Sequence, residues 1–371
     1  MMRTQRIERI VTDVEALGLD GLVLTPDANL HYFTGLHFHH GKRLNLMLIP
    51  TSGASPCLVV PALEQMQAET NAQLPVRLFP WADQDGPLGA LAAAVTAAFG
   101  RDARELRLAI EPANMAVMHL RALEAVMPGV ATYDATHLFA GLRMVKDADE
   151  MALIERAVQI VETALHRVLA EIKPGMTERT LSRICTDAII AAGADEESFA
   201  NLIASGPNGA SPHHLNSDRP LQQGELIILD CGARYRGYVS DITRTVALGE
   251  PAPEAREVYE LVQRANAAGR AACRPGATGT TIDAATRDVI AQAGYGEYFI
   301  HRTGHGFGLE THELPQIVAG SDQPLVAGTT FTVEPGIYLP GRFGVRIEDD
   351  MVLTADGARS LTTFSRELIV L

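Results

Sequence analysis

Five side chains of metal-binding type follow one another in the C-terminal part of the chain, each inside a stretch whose composition suits a strand or a turn. They are Asp230, Asp241, His305, Glu334 and Glu348. Four carboxylates and one imidazole are about the ligand set that a pair of divalent cations needs, with positions left for water and substrate. The set therefore predicts hydrolysis at a paired metal site.

The four carboxylates fall into two pairs with similar surroundings. Asp230 ends an apolar run, and Asp241 follows a glycine-containing segment that suits a hairpin turn. Glu334 and Glu348 likewise lie on either side of a Pro-Gly turn. We expect the members of each pair to face one another across a strand ladder. Buried together, the carboxylates would repel one another and lose their hydration, so cations are needed to neutralise them.

An internal repeat accompanies these pairs. Segments 173–177 (Lys-Pro-Gly-Met-Thr) and 274–278 (Arg-Pro-Gly-Ala-Thr) are 101 residues apart, and further identities recur at the same offset. These identities are Asp187 with Asp288, Ile189 with Ile290 and Gly193 with Gly294. In each copy a long helical pattern precedes the turn, a shorter one follows it, and a strand pair comes later. The spacing predicts two related halves, each contributing one carboxylate pair.

The length and texture of the chain predict two domains. With 371 residues, of which 47% are hydrophobic and 20% charged, the sequence can form two ordinary globular cores. Residues 1–145 alternate a helical pattern, short apolar runs and alanine-rich segments, which is typical of a mixed α/β domain. A long helical pattern opens after Asp147, with acidic residues in its first turn. We place the boundary at about 145, so that the second domain covers 146–371.

Charge and composition argue against several functions. A formal net charge of −14, without a Lys/Arg cluster, disfavours nucleic-acid binding. No apolar run approaches the roughly 20 residues that span a bilayer, and the N-terminus lacks the apolar stretch of a secretory signal. The four cysteines have no paired spacing, which fits reduced thiols, and Cys231 is expected to point away from the neighbouring Asp230. We therefore expect a cytoplasmic protein without membrane partners.

Histidines near the carboxylates are candidates for contact with substrate. His305 lies between two glycines, which leave its ring accessible to a metal. His312 follows seven residues later, and His213 lies in a loop-like segment before Asp230. We predict that both contact the substrate from outside the metal shell, with His214 as a less favoured partner of His213. Three further histidines have no ligand spacing and are interpreted as ordinary structural residues: His37, His39 and His40.

These motifs resemble the creatinase and aminopeptidase P superfamily of pita-bread metallopeptidases, which includes methionine aminopeptidase, aminopeptidase P and prolidase. The resemblance rests on 29–35, 240–245, the Gly-His-Gly turn, 332–336 and 346–349, and it extends over nearly the whole chain. It implies an α+β fold in which a creatinase-like mixed α/β domain precedes a pita-bread catalytic domain with an internal pseudo-two-fold repeat. It also implies a homodimer. The two-domain form looks most like the proline-specific members, Xaa-Pro dipeptidase (prolidase) and Xaa-Pro aminopeptidase.

The resemblance also implies a role for each ligand. Asp241 and Glu348 would bridge two metals, Asp230 would chelate one of them, and His305 with Glu334 would complete the other. A water shared by the two cations would exist as hydroxide near neutral pH and attack the peptide carbonyl. Glu334 would move a proton from this nucleophile to the leaving nitrogen.

The remaining catalytic and substrate contacts follow from the same resemblance. His213 and His312 would bind the substrate and donate hydrogen bonds to the oxyanion or to the scissile amide. Arg346 is a further candidate substrate contact, although its place two residues before Glu348 favours orientation of the carboxylates. Manganese, cobalt, zinc and iron all suit this ligand set, and manganese is favoured.

One position departs from the pattern of microbial prolidases. In those enzymes an arginine commonly follows the proline of the His-Glu-Leu-Pro motif and can hold the terminal carboxylate of a dipeptide, whereas this chain has Gln316. The departure leaves dipeptidase and aminopeptidase open, unless Arg43 or Arg342 supplies the charge. Two other classes also stay open: a metal-dependent hydrolase or lyase of a small non-peptide substrate, and a non-catalytic binding protein on the same fold.

Overall fold

The computed structural model describes residues 3–38, 41–100 and 105–371. Within it the chain divides into two compact units, Met1–Leu142 and Arg143–Leu371. His39 and His40 lie outside the described residues, so the interpretation of these two histidines stays a prediction.

Unit 1 is built on a six-stranded mixed sheet. Its strands are β1 (Gly21–Leu24), β2 (Leu46–Pro50), β3 (Cys57–Pro61), β4 (Arg77–Trp81), β5 (Arg107–Ile110) and β6 (Ala131–Asp134). Its helices are α1 (Arg3–Ala16), α2 (Ala28–Thr34), α3 (Gln65–Asn71), α4 (Leu88–Phe99), α5 (Val117–Val126) and α6 (Thr136–Met144), the last of which runs past the division between the units. The strands lie in the order β4-β3-β2-β1-β5-β6, and β2 is antiparallel to both of its neighbours.

The apolar runs of the sequence form the centre of this sheet. Strands β1, β2 and β3 are buried along their whole length, and the apolar face of α4 packs on them through Leu91 and Ala94. Strands β4 and β6 lie at the two edges and are half-exposed. An edge strand lacks a continuous apolar run because one side of it meets water, so the sequence pattern did not predict these two strands.

Unit 2 begins with the helices of the predicted repeat. They are α7 (Ala148–Glu171), α8 (Glu178–Ala191), α9 (Pro253–Ala272) and α10 (Gly279–Gln292). Helix α7 packs on α8, and α9 packs on α10. In both copies a glycine with positive φ makes the turn between the helices, Gly175 at +83° and Gly276 at +79°, and a threonine caps the helix that follows. The two halves thus share their helix pair and their cap.

The strands of unit 2 follow each helix pair. The first half contributes β7 (Glu196–Glu197), β8 (Leu202–Ser205), β9 (Glu225–Cys231), β10 (Ala233–Tyr235), β11 (Tyr238–Val239) and β12 (Ile242–Leu248). The second half contributes β13 (Gly304–Gly306), β14 (Glu313–Ile317), β15 (Thr330–Val333), β16 (Gly336–Leu339), β17 (Phe343–Arg346), β18 (Asp349–Leu353) and β19 (Ala358–Ser360). Most of these strands are buried, because the sheets pack against the helices through apolar cores.

Strand register decides how the carboxylate pairs meet. Strands β9 and β12 are antiparallel, with Asp230 opposite Thr243, and Asp241 directly precedes β12. The two aspartates are therefore diagonal neighbours on one face rather than directly opposed residues, because Asp241 is two residues from the partner of Asp230. In the second half Val333 pairs with Asp349, and the same register continued by one residue sets Glu334 opposite Glu348.

Both glutamates lie where the chain passes from one sheet to another. Glu334 separates β15 from β16, and Glu348 separates β17 from β18. At such a break some backbone N–H groups are not bonded within a strand ladder. Glu334 therefore donates its N–H to the carbonyl oxygen of Thr303, and Glu348 donates its N–H to the carbonyl oxygen of Thr243. These two bonds tie the glutamates to the strand of His305 and to the strand that follows Asp241.

Among the helices of the described residues, none combines the length and the apolar character that crossing a bilayer requires.

The close approach of β13 to β15 generates a prediction. A Cβ on Gly304 would overlap the carbonyl oxygen of Thr332. We expect Gly304→Ala to force these strands apart and to destabilise the fold by about 1–3 kcal/mol, measured as a fall in Tm. Gly357→Ala is the matched control, because no heavy atom lies within 4 Å of its Cβ position. An unchanged Tm for Gly304→Ala would contradict the packing described here.

Candidate metal centre and active site

The residues of metal-binding type converge in unit 2. Asp241, His305 and Glu348 each offer a ligand atom, and these atoms lie within 4.8 Å of one another. The Nε2 atom of His305 is 3.7 Å from Oδ2 of Asp241 and 3.3 Å from Oε1 of Glu334. Asp241, His305 and Glu348 are buried, whereas Asp230 and Glu334 are half-buried and line the same cavity. Residues that lie in or directly beside five different strands thus meet in one cavity wall.

Without cations the cluster is electrostatically unfavourable. Burial, together with the neighbouring carboxylates, raises the pKa of Asp241 and of Glu348 well above the ordinary range. Burial also raises the pKa of Glu334 to about 7. Among the described residues, Oδ1 of Asp230 and Oε1 of Glu348 are buried and have no hydrogen-bond donor. Divalent cations would satisfy these oxygens and neutralise the charge, so the donor set fits a metal site.

The protonation state and the orientation of the His305 imidazole suit a metal ligand. Burial lowers its pKa to about 3, so the ring is neutral. Its Nδ1 lies 3.1 Å from the carbonyl oxygen of Gly306, which can only accept, so Nδ1 carries the proton. The lone pair of Nε2 is therefore free for a cation, and the Nδ1 bond fixes the orientation of the ring.

Arg346 links the carboxylates to each other. Its guanidinium contacts Oδ2 of Asp230, and its Nε donates to Oγ1 of Thr243 at 3.1 Å. Thr243 in turn donates to Oε2 of Glu348 at 2.7 Å. Arg346 is buried, and its charge offsets that of Asp230. It therefore orients the carboxylates, and its direct contact with substrate stays a prediction.

A tyrosine and a histidine that the sequence patterns did not single out extend this network to the cavity. Arg346 donates through Nη1 to the hydroxyl oxygen of Tyr338 at 2.9 Å. The Tyr338 hydroxyl is also 2.9 Å from Nε2 of His301, whose Nδ1 donates to the oxygen of Arg302. Because Nδ1 carries the proton and burial lowers the pKa of His301 to about 4, Nε2 accepts from Tyr338. His301 stands four residues before His305, so its nearness to the motif was the available signal.

The predicted substrate histidines line one cavity with the metal-binding residues. The cavity has a volume of about 780 Å³, and its walls include His213, His214, His312 and His301. The rings of His305 and His312 meet edge to face, with centroids 4.3 Å apart. Burial and the nearby charge of Arg302 lower the pKa of His312, so its imidazole is neutral at physiological pH. The structure thus brings His213 and His312 into the wall of the same cavity as the metal-binding residues, and their contact with substrate stays a prediction.

A buried carboxylate holds the segment that carries His213. The side chain of Glu178, at the start of α8, accepts hydrogen bonds from three backbone or side-chain groups of the loop and from the ring of His214. Its further donors are the hydroxyls of Ser205 and Ser217. Burial alone would raise the pKa of Glu178, but these donors outweigh it and lower the pKa to about 2. Glu178 therefore anchors segment 205–217 as a charged group.

A second buried carboxylate holds the loop that carries His312. Glu313 contacts Arg143 and Lys146 and accepts from the backbone N–H groups of Leu309 and Glu310 at 2.9 and 3.0 Å. Burial would raise its pKa, but the two cations and the backbone donors lower it to about 2. Because Glu313 adjoins His312 in the chain, its fixed position limits where the histidine ring can point.

The structure places the other candidate residues differently. Gln316 lies on β14 opposite His305, and its Oε1 accepts a hydrogen bond from Arg302 at 2.6 Å. Arg342 forms an exposed ion pair with Glu254. Arg43 pairs with Asp83 at 2.7 Å within unit 1, so its contact with substrate stays a prediction. All four cysteines are buried and free, and the thiol of Cys231 lies 3.9 Å from the oxygen of Ile242, on the face opposite to Asp230.

Comparison with known proteins identifies the family. Residues 152–355 match metallopeptidase family M24, and residues 6–145 match the creatinase/prolidase N-terminal domain. The chain belongs to metallopeptidase family M24. As a member it is a peptidase whose family implies divalent metal ions, and it has the creatinase-like domain followed by a pita-bread domain that the sequence motifs indicated.

Several named proteins are similar to this chain over nearly its whole length. The probable dipeptidase PepE of Mycobacterium tuberculosis is 41% identical over 356 residues, which cover 95% of this chain and 92% of that protein. The Xaa-Pro dipeptidase of Lactobacillus delbrueckii subsp. lactis is 35% identical over 367 residues, with 98% of both chains covered. A crystal structure of a prolidase from Thermococcus sibiricus superimposes with a TM-score of 0.94 at 35% identity, over the full length of both chains.

The network around Glu178 generates a prediction about stability and substrate binding. We expect Glu178→Gln to lower the free energy of unfolding by about 1–3 kcal/mol at pH 7, since buried donors lose their charged acceptor. The folded-state pKa of about 2 lies below the ordinary value of 4.5, so this stabilisation is present above pH 4.5 and is lost as the pH falls toward 2. The difference in Tm between wild type and variant should shrink over that range.

The control for this variant is Glu171→Gln, which removes the same charge from an exposed position at the end of α7. It should leave Tm and KM unchanged. Glu178→Gln should raise KM more than it lowers kcat, because the loosened loop carries His213. A Tm difference as large at pH 3 as at pH 7 would show that Glu178 does not act through its charge.

The converging ligands generate a second prediction, on metal binding itself. We expect Asp241→Ala to weaken Mn²⁺ binding by at least about 100-fold in calorimetric titration, since it removes a buried oxygen ligand from the centre of the cluster. Asp356→Ala, which removes an exposed aspartate of unit 2, should bind as the wild type does. Equal affinities for the two variants would refute the proposed site.

Proposed function

We propose that this peptidase holds two divalent metal ions and removes the N-terminal residue from short peptides in which proline is the second residue. The observation that carries the proposal is the meeting of four carboxylates and a neutral His305 at one wall of a cavity that His213 and His312 also line. The names of the relatives, dipeptidase, Xaa-Pro dipeptidase and prolidase, support a peptide substrate of this kind.

The ligand roles in this proposal are those the family resemblance implies. Asp241 and Glu348 would be shared by the two ions, Asp230 would hold one of them, and His305 with Glu334 would hold the other. Cations bound there would supply a Lewis acid that polarises the scissile carbonyl and lowers the pKa of a water molecule. Manganese is the metal we favour, and cobalt, zinc and iron fit the same donors. The proposal also takes over a homodimer and a cytoplasmic location from the sequence and the family resemblance.

The chain's own groups then handle the proton and the substrate. The side chain of Glu334 lines the cavity and is 14% exposed, so its Oε1 accepts a proton from water and passes it to the leaving nitrogen. His312 is neutral, so one of its ring nitrogens donates a hydrogen bond to the carbonyl oxygen as negative charge develops on it. His213 binds the substrate from the opposite loop. The free α-amine of the substrate lies near the carboxylates.

A peptide panel with controlled metal content tests the proposal. The panel contains an Xaa-Pro dipeptide, the matching Xaa-Pro-Yaa tripeptide and an Xaa-Ala dipeptide, each assayed after chelation and again after addition of Mn²⁺. We expect kcat/KM for an Xaa-Pro substrate to fall below about 1% on chelation and to return with Mn²⁺, since the nucleophile depends on the metals. Absence of cleavage with Mn²⁺, Co²⁺, Zn²⁺ and Fe²⁺ alike would refute the peptidase proposal and favour a small non-peptide substrate.

A further inference from the structure

Two arginines of the described residues line the cavity, and they differ in whether a carboxylate neutralises their charge. Arg346 is buried and contacts the carboxylate of Asp230. Arg302 is half-exposed to the cavity, and among the described residues its guanidinium forms no ion pair. The wall of the cavity thus carries one cation whose charge is not neutralised within the part of the chain that the structure describes. Such a cation is suited to an anionic group of the substrate.

Arg302 is held in place by a neutral partner. Its Nη1 donates to Oε1 of Gln316 at 2.6 Å. A guanidinium has five N–H donors, and one bond to an amide leaves the others available without reducing the charge. Gln316 is itself fixed, because it pairs with His305 across the β13–β14 ladder. The amide therefore positions the guanidinium, whereas a carboxylate at position 316 would have neutralised it.

The charge of Arg302 acts on the groups that perform the reaction. It contributes to the lowered pKa of His305 and of His312, and it opposes the effect of burial on the pKa of Glu334. Arg302 precedes His305 by three residues, a length of about 10 Å in extended chain. An extended dipeptide spans about 7 Å. The Cα atoms of Arg302 and His305 are therefore at most about 10 Å apart, which is on the scale of a dipeptide.

We propose that Arg302, positioned by Gln316, binds the terminal carboxylate of the substrate and restricts the site to dipeptides. This inference rests on the proposed peptidase function and deepens it, since that function leaves dipeptidase and aminopeptidase open. The position of the arginine differs from the pattern common in microbial prolidases, in which the charge comes from the residue that is Gln316 here. The cation has moved across the ladder, from β14 to the residues before β13. Arg342 is engaged with Glu254, which leaves Arg302 as the carboxylate contact within unit 2.

The experiment compares an Xaa-Pro dipeptide with its C-terminal amide, which has the same shape but no terminal charge. The wild type should prefer the free acid by about 10- to 100-fold in kcat/KM, the range expected for a charge-assisted bond. Arg302→Gln should remove this preference, mainly through a higher KM for the acid. The readout is the ratio of kcat/KM for the acid to kcat/KM for the amide, because the loss of the charge beside His312 and Glu334 affects the cleavage of both peptides alike. Arg256→Gln, at an exposed ion pair with Glu250, is the matched control and should keep the wild-type preference.

A double variant that moves the arginine to position 316 distinguishes loss of the charge from loss of folding or of metal. In Arg302→Gln/Gln316→Arg the guanidinium returns to β14, and we expect at least a 5-fold preference for the acid to reappear. A merely structural role for Arg302 would not be rescued in this way. Wild-type cleavage of the amide or of the tripeptide as fast as the acid would overturn the inference even if Arg302→Gln did not fold. Failure of the wild type to cleave any of the peptides would instead overturn the proposed function.

Discussion

Mutual repulsion among buried carboxylates is the constraint around which the second unit is organised. Asp241 and Glu348 lie within reach of each other and of Asp230 and Glu334, in a place where water cannot screen them. A fold that gathers these groups loses stability unless cations neutralise them, so metal binding and the folded geometry are coupled. The single imidazole, of His305, is neutral in its buried position and would add a ligand without further repulsion.

In other buried carboxylates of unit 2 the pKa is shifted in the opposite direction. Glu178 and Glu313 are as deeply buried as the metal ligands, yet their pKa values are lowered because hydroxyl, amide, imidazole and cationic donors surround them. Each anchors a segment that carries a cavity histidine. The site is therefore built from two kinds of buried acid: one kind satisfied by the protein, which positions the loops, and one kind left for metal ions.

The two-fold repeat explains how one site receives ligands from distant parts of the chain. Each half supplies a helix pair and a strand pair, and each strand pair presents its carboxylates at a ladder end or at a break between sheets. Thr243 of the first half donates to Glu348 of the second, which joins the halves at the ligands themselves. The two halves differ where the loops are anchored: Glu178 of the first copy corresponds to Gly279 of the second.

The sequence by itself determined the residues of metal-binding type, their grouping in two pairs, the repeat and the family, because these depend on local motifs and on spacing along the chain. It did not determine the diagonal register of Asp230 and Asp241, which follows from the two-residue turn at Arg236 and Gly237. It also did not reveal Glu178, whose donors lie up to 39 residues away, or the pairing of Arg302 with Gln316. Contacts between distant segments are set by the packing of strands and loops, so only the tertiary structure could decide which charges in the cavity are neutralised and which are left for a substrate.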